Sequence, residues 1–591
     1  MRKEMKMKLL VCTAFTVLAF ASCNAIADTS GLSITPETVW LSLTATKAEL
    51  VNGVNTATLT LDFDKAIDGL TDNLTAADLE KIFTFSDEDP SFDTLNIKPL
   101  SVKKSVVGIY TLTVINTPET TECMVLVKIN QTGVTPTTRP WFLDGLPKAQ
   151  NAAVAAGGDA TFTAVAKDAD GNSYAVGAHL GTNALIYGDK ASATGSDANS
   201  NAVIVKYNVS GTALWAKVLP PPDGNYATTF DGVALDGNKV YAVGGEHSGP
   251  KTAILVQYNS DTGEMQWIKT ASAGSDASNF SGVAVDSSSK VYAVGYQTGN
   301  GSFTYGSSVS VSGSSTNSMN AVIVQYDSAG AAQWARSVSV TGGDSEAAAD
   351  SVFIGVAADG SGVYAAGRQF GTTSYGYGGS ASVAGSATSE VNAVLVRYNS
   401  AGAAQWARSV SGINAQSEFQ NVATDGAGKV YAVGIQAGDG AFSYGANTSA
   451  TGTYAGGSAV IVLYDSSGAA QWAKSVNSNA QSSFISAALD GSGNVYVAGC
   501  QYGSEEFDYG DAKAQGDSAV NAVVVRYNGI NGEAQWAQSS NGGQVMFSGI
   551  AADKTGGFTT VGAQAGTLNY GNGVSAEGSL GHQHPVIVWY K

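Results

Sequence analysis

The chain has 591 residues, of which 44% are hydrophobic and only 14% charged, with 71 glycines and a formal net charge of −18. That apolar content excludes a disordered chain, and the length leaves room for one small domain and one large one. The acidic balance excludes nucleic acid as a partner, since a phosphate backbone is repelled by such a field, and the charge fraction, well below the roughly 25% of an average globular protein, leaves a neutral surface of Ser, Thr, Asn and Gly that suits an exported protein.

Residues 1–22 place Arg2, Lys3, Lys6 and Lys8 ahead of an apolar run from Leu9 to Ala21. This is a secretory signal, too short and wrongly flanked for a transmembrane span. Its end allows two readings. Leu18-Ala-Phe-Ala-Ser-Cys23 resembles a relaxed lipobox of the kind found in spirochaete lipoproteins, with Phe20 where the strict pattern has Leu. Cleavage before Cys23 and its acylation would tether the protein to a membrane without spanning it. The other site is Ala25-Ile-Ala27, which would free the chain at Asp28. The lipoprotein reading is preferred. Of the four cysteines, Cys12 leaves with the signal, while Cys123 and Cys500 fall in different domains and are expected as free, buried thiols.

Residues 28–137 alternate with period two in Thr58-Leu-Thr-Leu-Asp-Phe63 and Tyr110-Thr-Leu-Thr-Val114, and Val125-Leu-Val-Lys-Ile129 is a further strand. Thr75 is placed to cap a short helical turn. The expectation is a small immunoglobulin-like sandwich. The stretches beginning at Phe63 and Gly108 are similar to modules at the start of spirochaete (Treponema-like) surface lipoproteins. Gly133–Pro140 reads as a linker.

From residue 138 onward the chain repeats. One unit runs Phe280-Ser-Gly-Val-Ala-Val-Asp286, Lys290-Val-Tyr-Ala-Val-Gly295, Asn320-Ala-Val-Ile-Val-Gln-Tyr326 and Ala331-Ala-Gln-Trp-Ala-Arg-Ser-Val338. The Tyr recurs as Tyr207, Tyr258, Tyr326, Tyr398, Tyr464, Tyr527 and Tyr590, and the Gly as Gly177, Gly244, Gly295, Gly367, Gly434, Gly499 and Gly562. The Trp appears six times: Trp215, Trp267, Trp334, Trp406, Trp472 and Trp536. Four β-rich runs per unit, separated by Asp- and Gly-bearing turns, make a four-stranded blade. Six Trp against seven Tyr predicts a seven-bladed β-propeller whose last blade is completed by a strand from before the first, which removes an open sheet edge. The segment around Trp141 is the expected closing strand. The units resemble the bacterial seven-bladed propeller (SBBP) repeat over residues 160 to 591. That resemblance implies the fold, no single activity, and no catalytic residues to carry over.

Candidate chemistry is sparse. His179, His247, His582 and His584 all follow second strands, in blades one, two and seven, which a closed ring makes contiguous. They are the metal candidates, as imidazoles can be, but none lies in a short ligand motif and scattered surface residues are the preferred reading. Asp168-Ala-Asp-Gly-Asn172 has half the pattern of a calcium loop, but a hairpin turn is the preferred reading. The group Asp87-Glu-Asp-Pro-Ser-Phe-Asp93 reads as a solvated loop. Asp236, Asp286, Asp359, Asp425, Asp490 and Asp553 end the first strands and would form a ring of like charge, but each is needed by its own turn. The Phe/Tyr-x-Tyr-Gly inserts, absent from blade two, offer sugar-stacking aromatics or, more simply, packing beneath the insert. No nucleophile elbow and no phosphate-cradling loop occurs.

These features point to an exported, lipid-anchored, monomeric propeller of the cell envelope, surface-exposed or periplasmic at the outer membrane. It would need no cofactor and act as a non-enzymatic binder of a protein or glycan. The alternatives are an exported carbohydrate-active hydrolase or lyase, and a purely structural envelope protein.

Overall fold

The computed structural model describes residues 38–591 apart from short connecting stretches, the longest being 88–96, 116–123, 143–148, 221–226 and 342–349. The expected signal segment, Cys23 and Cys123 lie outside the described residues, as does most of the acidic group after Asp87. The described residues are all-β except for one short helix.

The N-terminal unit has two sheets. One runs in the order Lys98–Val106, Ile109–Ile115, Val54–Phe63, Thr38–Ala45, Val134–Thr135, and the other Phe83–Asp87, Met124–Ile129, Thr138–Phe142. Strict alternation along Ile109–Ile115 buries Tyr110, Leu112 and Val114, which meet Leu59, Leu61, Phe83 and Val127 in one core. Period-two patterning gives each sheet one apolar face, and the two faces cover each other. The helix Ala76–Ile82 starts on a capping box between Thr75 and Asp78, as the sequence leads one to expect.

Trp141 belongs to this unit. Its strand pairs with Met124–Ile129, with Trp141 opposite Val125. The expected closing strand is therefore misplaced, and the boundary drawn at 137–138 moves beyond Phe142. The strand that completes the last blade is Ala149–Val154, which pairs antiparallel with His584–Tyr590 from Ala149–Tyr590 to Val154–Val586. Closure by a strand from before the first blade holds, and its residues change. A seventh Trp is not what marks the closing strand.

Seven four-stranded sheets follow one another. Blade one comprises Ala160–Lys167, Ser173–Leu180, Ser200–Tyr207 and Ala213–Val218, and blade seven Gln544–Ala552, Phe558–Ala565, His584–Tyr590 and Ala149–Val154. Each innermost strand neighbours those of the sheets before and after, and Gln544–Ala552 returns to Ala160–Lys167. The arrangement is propeller-like.

Every innermost strand has a β-bulge one residue after a Phe, at Thr163, Asp231, Ser281, Ile354, Gln420, Ile485 and Ser548. A bulge inserts one residue and turns its side chain out of the regular pleat. Opposite each bulge sits the repeated Gly. A Cβ on Gly177 or Gly367 would come within 2.0 Å of a carbonyl oxygen on the innermost strand, so the repeat keeps Gly because the bulged backbone occupies the space.

Blades lock through their outer strands. Trp406 donates to the carbonyl of Ser466 in the next blade at 3.0 Å. The turn glycine Gly468 lies so flat on the indole that a Cβ would be 2.7 Å from it. Arg408 covers the same ring and donates to the carbonyls of Gly468 and Ser467. Cation, aromatic face and turn carbonyls thus form one joint.

Candidate functional site

Most of the repeated polar side chains are spent on the fold. Asp168 accepts from the amides of Asp170 and Asn172 and from the hydroxyl of Tyr174, so Asp168–Asn172 is a hairpin turn. Asp286, Asp425 and Asp490 accept from their own turn amides in the same way. On the opposite face of the ring, the inserts form small hairpins in six of the seven blades. Their aromatics pack inward: Phe303, Tyr305, Phe442, Tyr444, Phe507 and Tyr509 are buried. Tyr444 donates to Gln436 at 2.7 Å and Tyr509 to Gln501 at 2.9 Å. Packing beneath the insert is their role, and sugar stacking on these rings is excluded by their burial.

His179 takes the place of that glutamine in blade one. It is buried, its Nε2 meets the carbonyl of Asn183 at 2.8 Å, and burial holds its pKa below the ordinary value. It is a structural residue and no longer a metal candidate. His582 pairs with Asp159 at 3.1 Å, and His584 bonds Ser579 through Nε2. The side chain of His247 lies outside the described residues. The structure brings His582 and His584 together, with ring centroids 6.4 Å apart, but does not bring His179 into that pair. No cluster of three or more metal-ligating side chains occurs among the described residues. Cys500 is buried, and desolvation pushes its thiol up to about 11.

A channel of about 290 Å³ runs between the innermost strands of all seven blades. Its wall is largely backbone, because neighbouring strands approach closely where the repeat has Gly: a Cβ on Gly355 would lie 2.7 Å from the Cα of Asn421. The bulge side chains project here, and the blades differ in what they present. Thr163 donates to the carbonyl of Phe230 at 2.7 Å, stapling blade one to blade two. Asp231 of blade two is the single carboxylate among the seven bulge positions. Asn279 of blade three donates to its Oδ2 at 2.9 Å, and the phenol of Tyr296 is raised by burial and then by the Asp231 charge.

Three blades on, Gln420 of blade five donates to Glu418 at 2.9 Å, and Glu418 is paired at 2.9 Å with Arg368 of blade four. Asp350 is held above the ordinary carboxylate range by burial, which the charge of Arg368 partly offsets. Two polar stations therefore stand nearly across the ring from each other. One is a carboxylate steadied by an amide, the other an amide steadied by an ion pair. Both supply fixed donors and acceptors to whatever enters the channel, which is what a small-molecule site requires.

None of these residues was singled out in the sequence. The signal was there: in the position just after the repeated Gly, Arg368 stands where the other blades have Ala178, Gly245, Tyr296, Ile435, Cys500 and Ala563.

No protein-family model matches this chain, and no curated protein matches it. Among solved structures it is similar to a quinohemoprotein alcohol dehydrogenase from Comamonas testosteroni, with 10% identity over 88% of this chain and 78% of that one and a TM-score of 0.32. It is similar to the polysaccharide lyase Uly1, with 6% identity over 75% and 99% and a TM-score of 0.33. A europium-containing methanol dehydrogenase matches at 10% identity over 75% and 91%, with a TM-score of 0.30. Likeness at this level carries no argument about activity. No helix among the described residues is long and apolar enough to cross a membrane.

Proposed function

We propose that the protein is a non-enzymatic binding protein of the cell envelope. In this reading it is a seven-bladed propeller of SBBP type, tethered through an acylated Cys23 and spaced from the membrane by an immunoglobulin-like sandwich, and it takes a ligand at the insert-bearing mouth of its channel. The observation that carries the reading is the concentration of non-repeated polar groups at that mouth, Asp231 with Asn279 and Gln420 with Glu418 and Arg368, while the repeated polar groups serve turns and inserts. Departures from a repeat at one end of a rigid ring are what a binding surface on a scaffold requires.

Protease shaving of intact cells, with lysed cells as control, tests the location. Loss of the propeller from intact cells supports surface display and binding outside the cell. Protection until lysis turns the search to partners within the envelope. Cys23→Ser should release the protein from the membrane fraction.

A second reading, an exported carbohydrate-active enzyme, draws on one observation: Asp231 is the only carboxylate among seven equivalent positions facing the channel. Turnover of an envelope or host glycan that Asp231→Asn abolishes would favour it.

A further inference from the structure

The channel sorts its polar side chains into two kinds. Some are spent on the ring. The Thr163 hydroxyl donates to the carbonyls of Val176 and Phe230, and the Ser486 hydroxyl accepts from the amide of Ile550 in the next blade. Others are uncommitted. The hydroxyls of Ser281 and Ser548 and the side-chain amide of Asn421 make no hydrogen bond with any described residue. Gln420 gives its Nε2 to Glu418 and leaves its Oε1 without a partner among them. All four residues line the channel and are half-buried. They belong to blades three, five and seven, so the uncommitted groups stand around the circumference and not on one side. Polar groups enclosed in this way need hydrogen-bond partners, and theirs lie within the channel.

Size and wall chemistry narrow what fits. The channel holds about 290 Å³, the room of about ten waters. One six-membered ring bearing hydroxyls suits that volume, and two linked rings need roughly twice as much. Among the described residues that line it there is no aromatic ring and no cation. A flat aromatic ligand finds no face to stack on. A ligand carboxylate or phosphate meets Asp231 where it needs a counter-charge, and the guanidinium of Arg368 is committed to Glu418. Ile354 and Ile485, on the blades either side of Gln420, add aliphatic surface for ring C–H groups. The uncommitted groups between them both donate and accept, as hydroxyls do. We propose that the channel binds one neutral cyclic polyol, a pyranose or a cyclitol, whose equatorial hydroxyls radiate to Ser281, Gln420, Asn421 and Ser548. A free sugar and the terminal residue of a glycan entering at the insert-bearing mouth share this chemistry.

This inference rests on the binding reading above and names its ligand class. The test is calorimetry and thermal unfolding of the purified full chain with glucose, galactose, mannose and myo-inositol at millimolar concentration. Glucosamine, galacturonate and cyclohexanol serve as comparisons. A binder of the native state raises the melting temperature. At least one neutral polyol ring should do so, and it should bind about tenfold or more tighter than the charged and the hydroxyl-poor comparisons. The methyl glycoside or methyl ether of that ring separates the two sources. Retained binding supports a terminal glycan residue, lost binding supports the free ring, and both agree with the proposal. Ser281→Ala and Ser548→Ala remove hydroxyls that hold nothing in the fold. Each should weaken binding about fivefold while melting as the parent does without ligand. If Ser548→Ala does not fold, Ser281→Ala carries the test alone. Absence of any shift with all four neutral rings, or a shift untouched by both substitutions, overturns the proposal. Tighter binding of glucosamine or galacturonate that the substitutions weaken also overturns it and leaves the binding reading standing.

Discussion

Asn151 faces Trp589 across the strand pair that closes the ring, and together they replace a single residue. At five other joints a fourth-strand Trp, from Trp215 to Trp472, rests on the next blade's turn glycine, and at the sixth Trp536 stacks on Phe558. At the closing joint the fourth strand has Asn151, which donates to the carbonyl of Ser210 in blade one at 2.8 Å. The indole comes from Trp589 on the neighbouring third strand, packed on Tyr207 with ring centroids 5.5 Å apart. Hydrogen bond and aromatic surface have been divided between two strands.

That division predicts unequal costs. Trp589→Ala should remove about 4 kcal/mol, the usual loss for a buried large aromatic. Asn151→Ala should remove about 1 kcal/mol, one hydrogen bond's worth. Urea unfolding followed by fluorescence measures both. Equal losses would show that the joint is not divided in this way.

The glycine opposite each bulge is equally testable. Gly367→Ala would place a methyl group 2.0 Å from the carbonyl oxygen of Val352, and only backbone movement relieves it, so a loss of about 3 kcal/mol or more is expected. Gly360→Ala is the control, with nothing within 4 Å of the added Cβ. Denaturant midpoints of the two variants should separate clearly.

Arg368 and Glu418 make a partly buried pair, with side-chain exposures of 30% and 8%. Arg368→Met would leave Glu418 charged, enclosed and unmatched, which costs about 3 kcal/mol. Arg368→Lys, which keeps a cation at this place, should recover part of that loss in denaturant midpoints. A Lys variant as unstable as the Met variant would show that the pair does not contribute through charge.

Alkali should unfold the ring. Tyr207, Tyr258, Tyr326, Tyr398, Tyr464, Tyr527 and Tyr590 hold the same place in successive blades, and burial raises each phenol above 10. Below the unfolded value the phenol is neutral in both states and its contribution is intact. As pH rises past 10 the unfolded chain loses protons that the folded chain keeps, so stability falls by about 1.4 kcal/mol per pH unit for each tyrosine. Tyrosinate absorbance should appear in one cooperative step together with loss of structure. A gradual rise with structure retained would contradict the burial.

Repetition made the architecture readable. Seven copies of Tyr and Gly gave the blade count, and six of Trp gave the need for closure. A closing strand marked by a seventh Trp points to Trp141, whose strand instead pairs with Met124–Ile129. The seventh copy carried its own clue: Trp589 stands where the other third strands have Lys206, Gln257, Gln325, Arg397, Leu463 and Arg526. The channel groups escaped for a related reason. Asp231, Asn279 and Gln420 matter through bulge geometry and through partners one blade away, and a single repeat read along its own length shows neither. His179 looked like a ligand because its stand-in role for the crown glutamine becomes visible only when Tyr187 is placed above it.

Closure by Ala149–Val154 also sets an order of events. This strand is made before any blade, yet its partner His584–Tyr590 follows every other strand of the ring. Until then the six earlier blades can stack, but the ring has two unsatisfied ends. Loops closed between such distant segments form slowly, and an edge left open meanwhile is a hazard. Ring completion therefore waits on both ends of the repeat region, and a molecule truncated anywhere before residue 584 stays an open stack with both its end sheets uncovered.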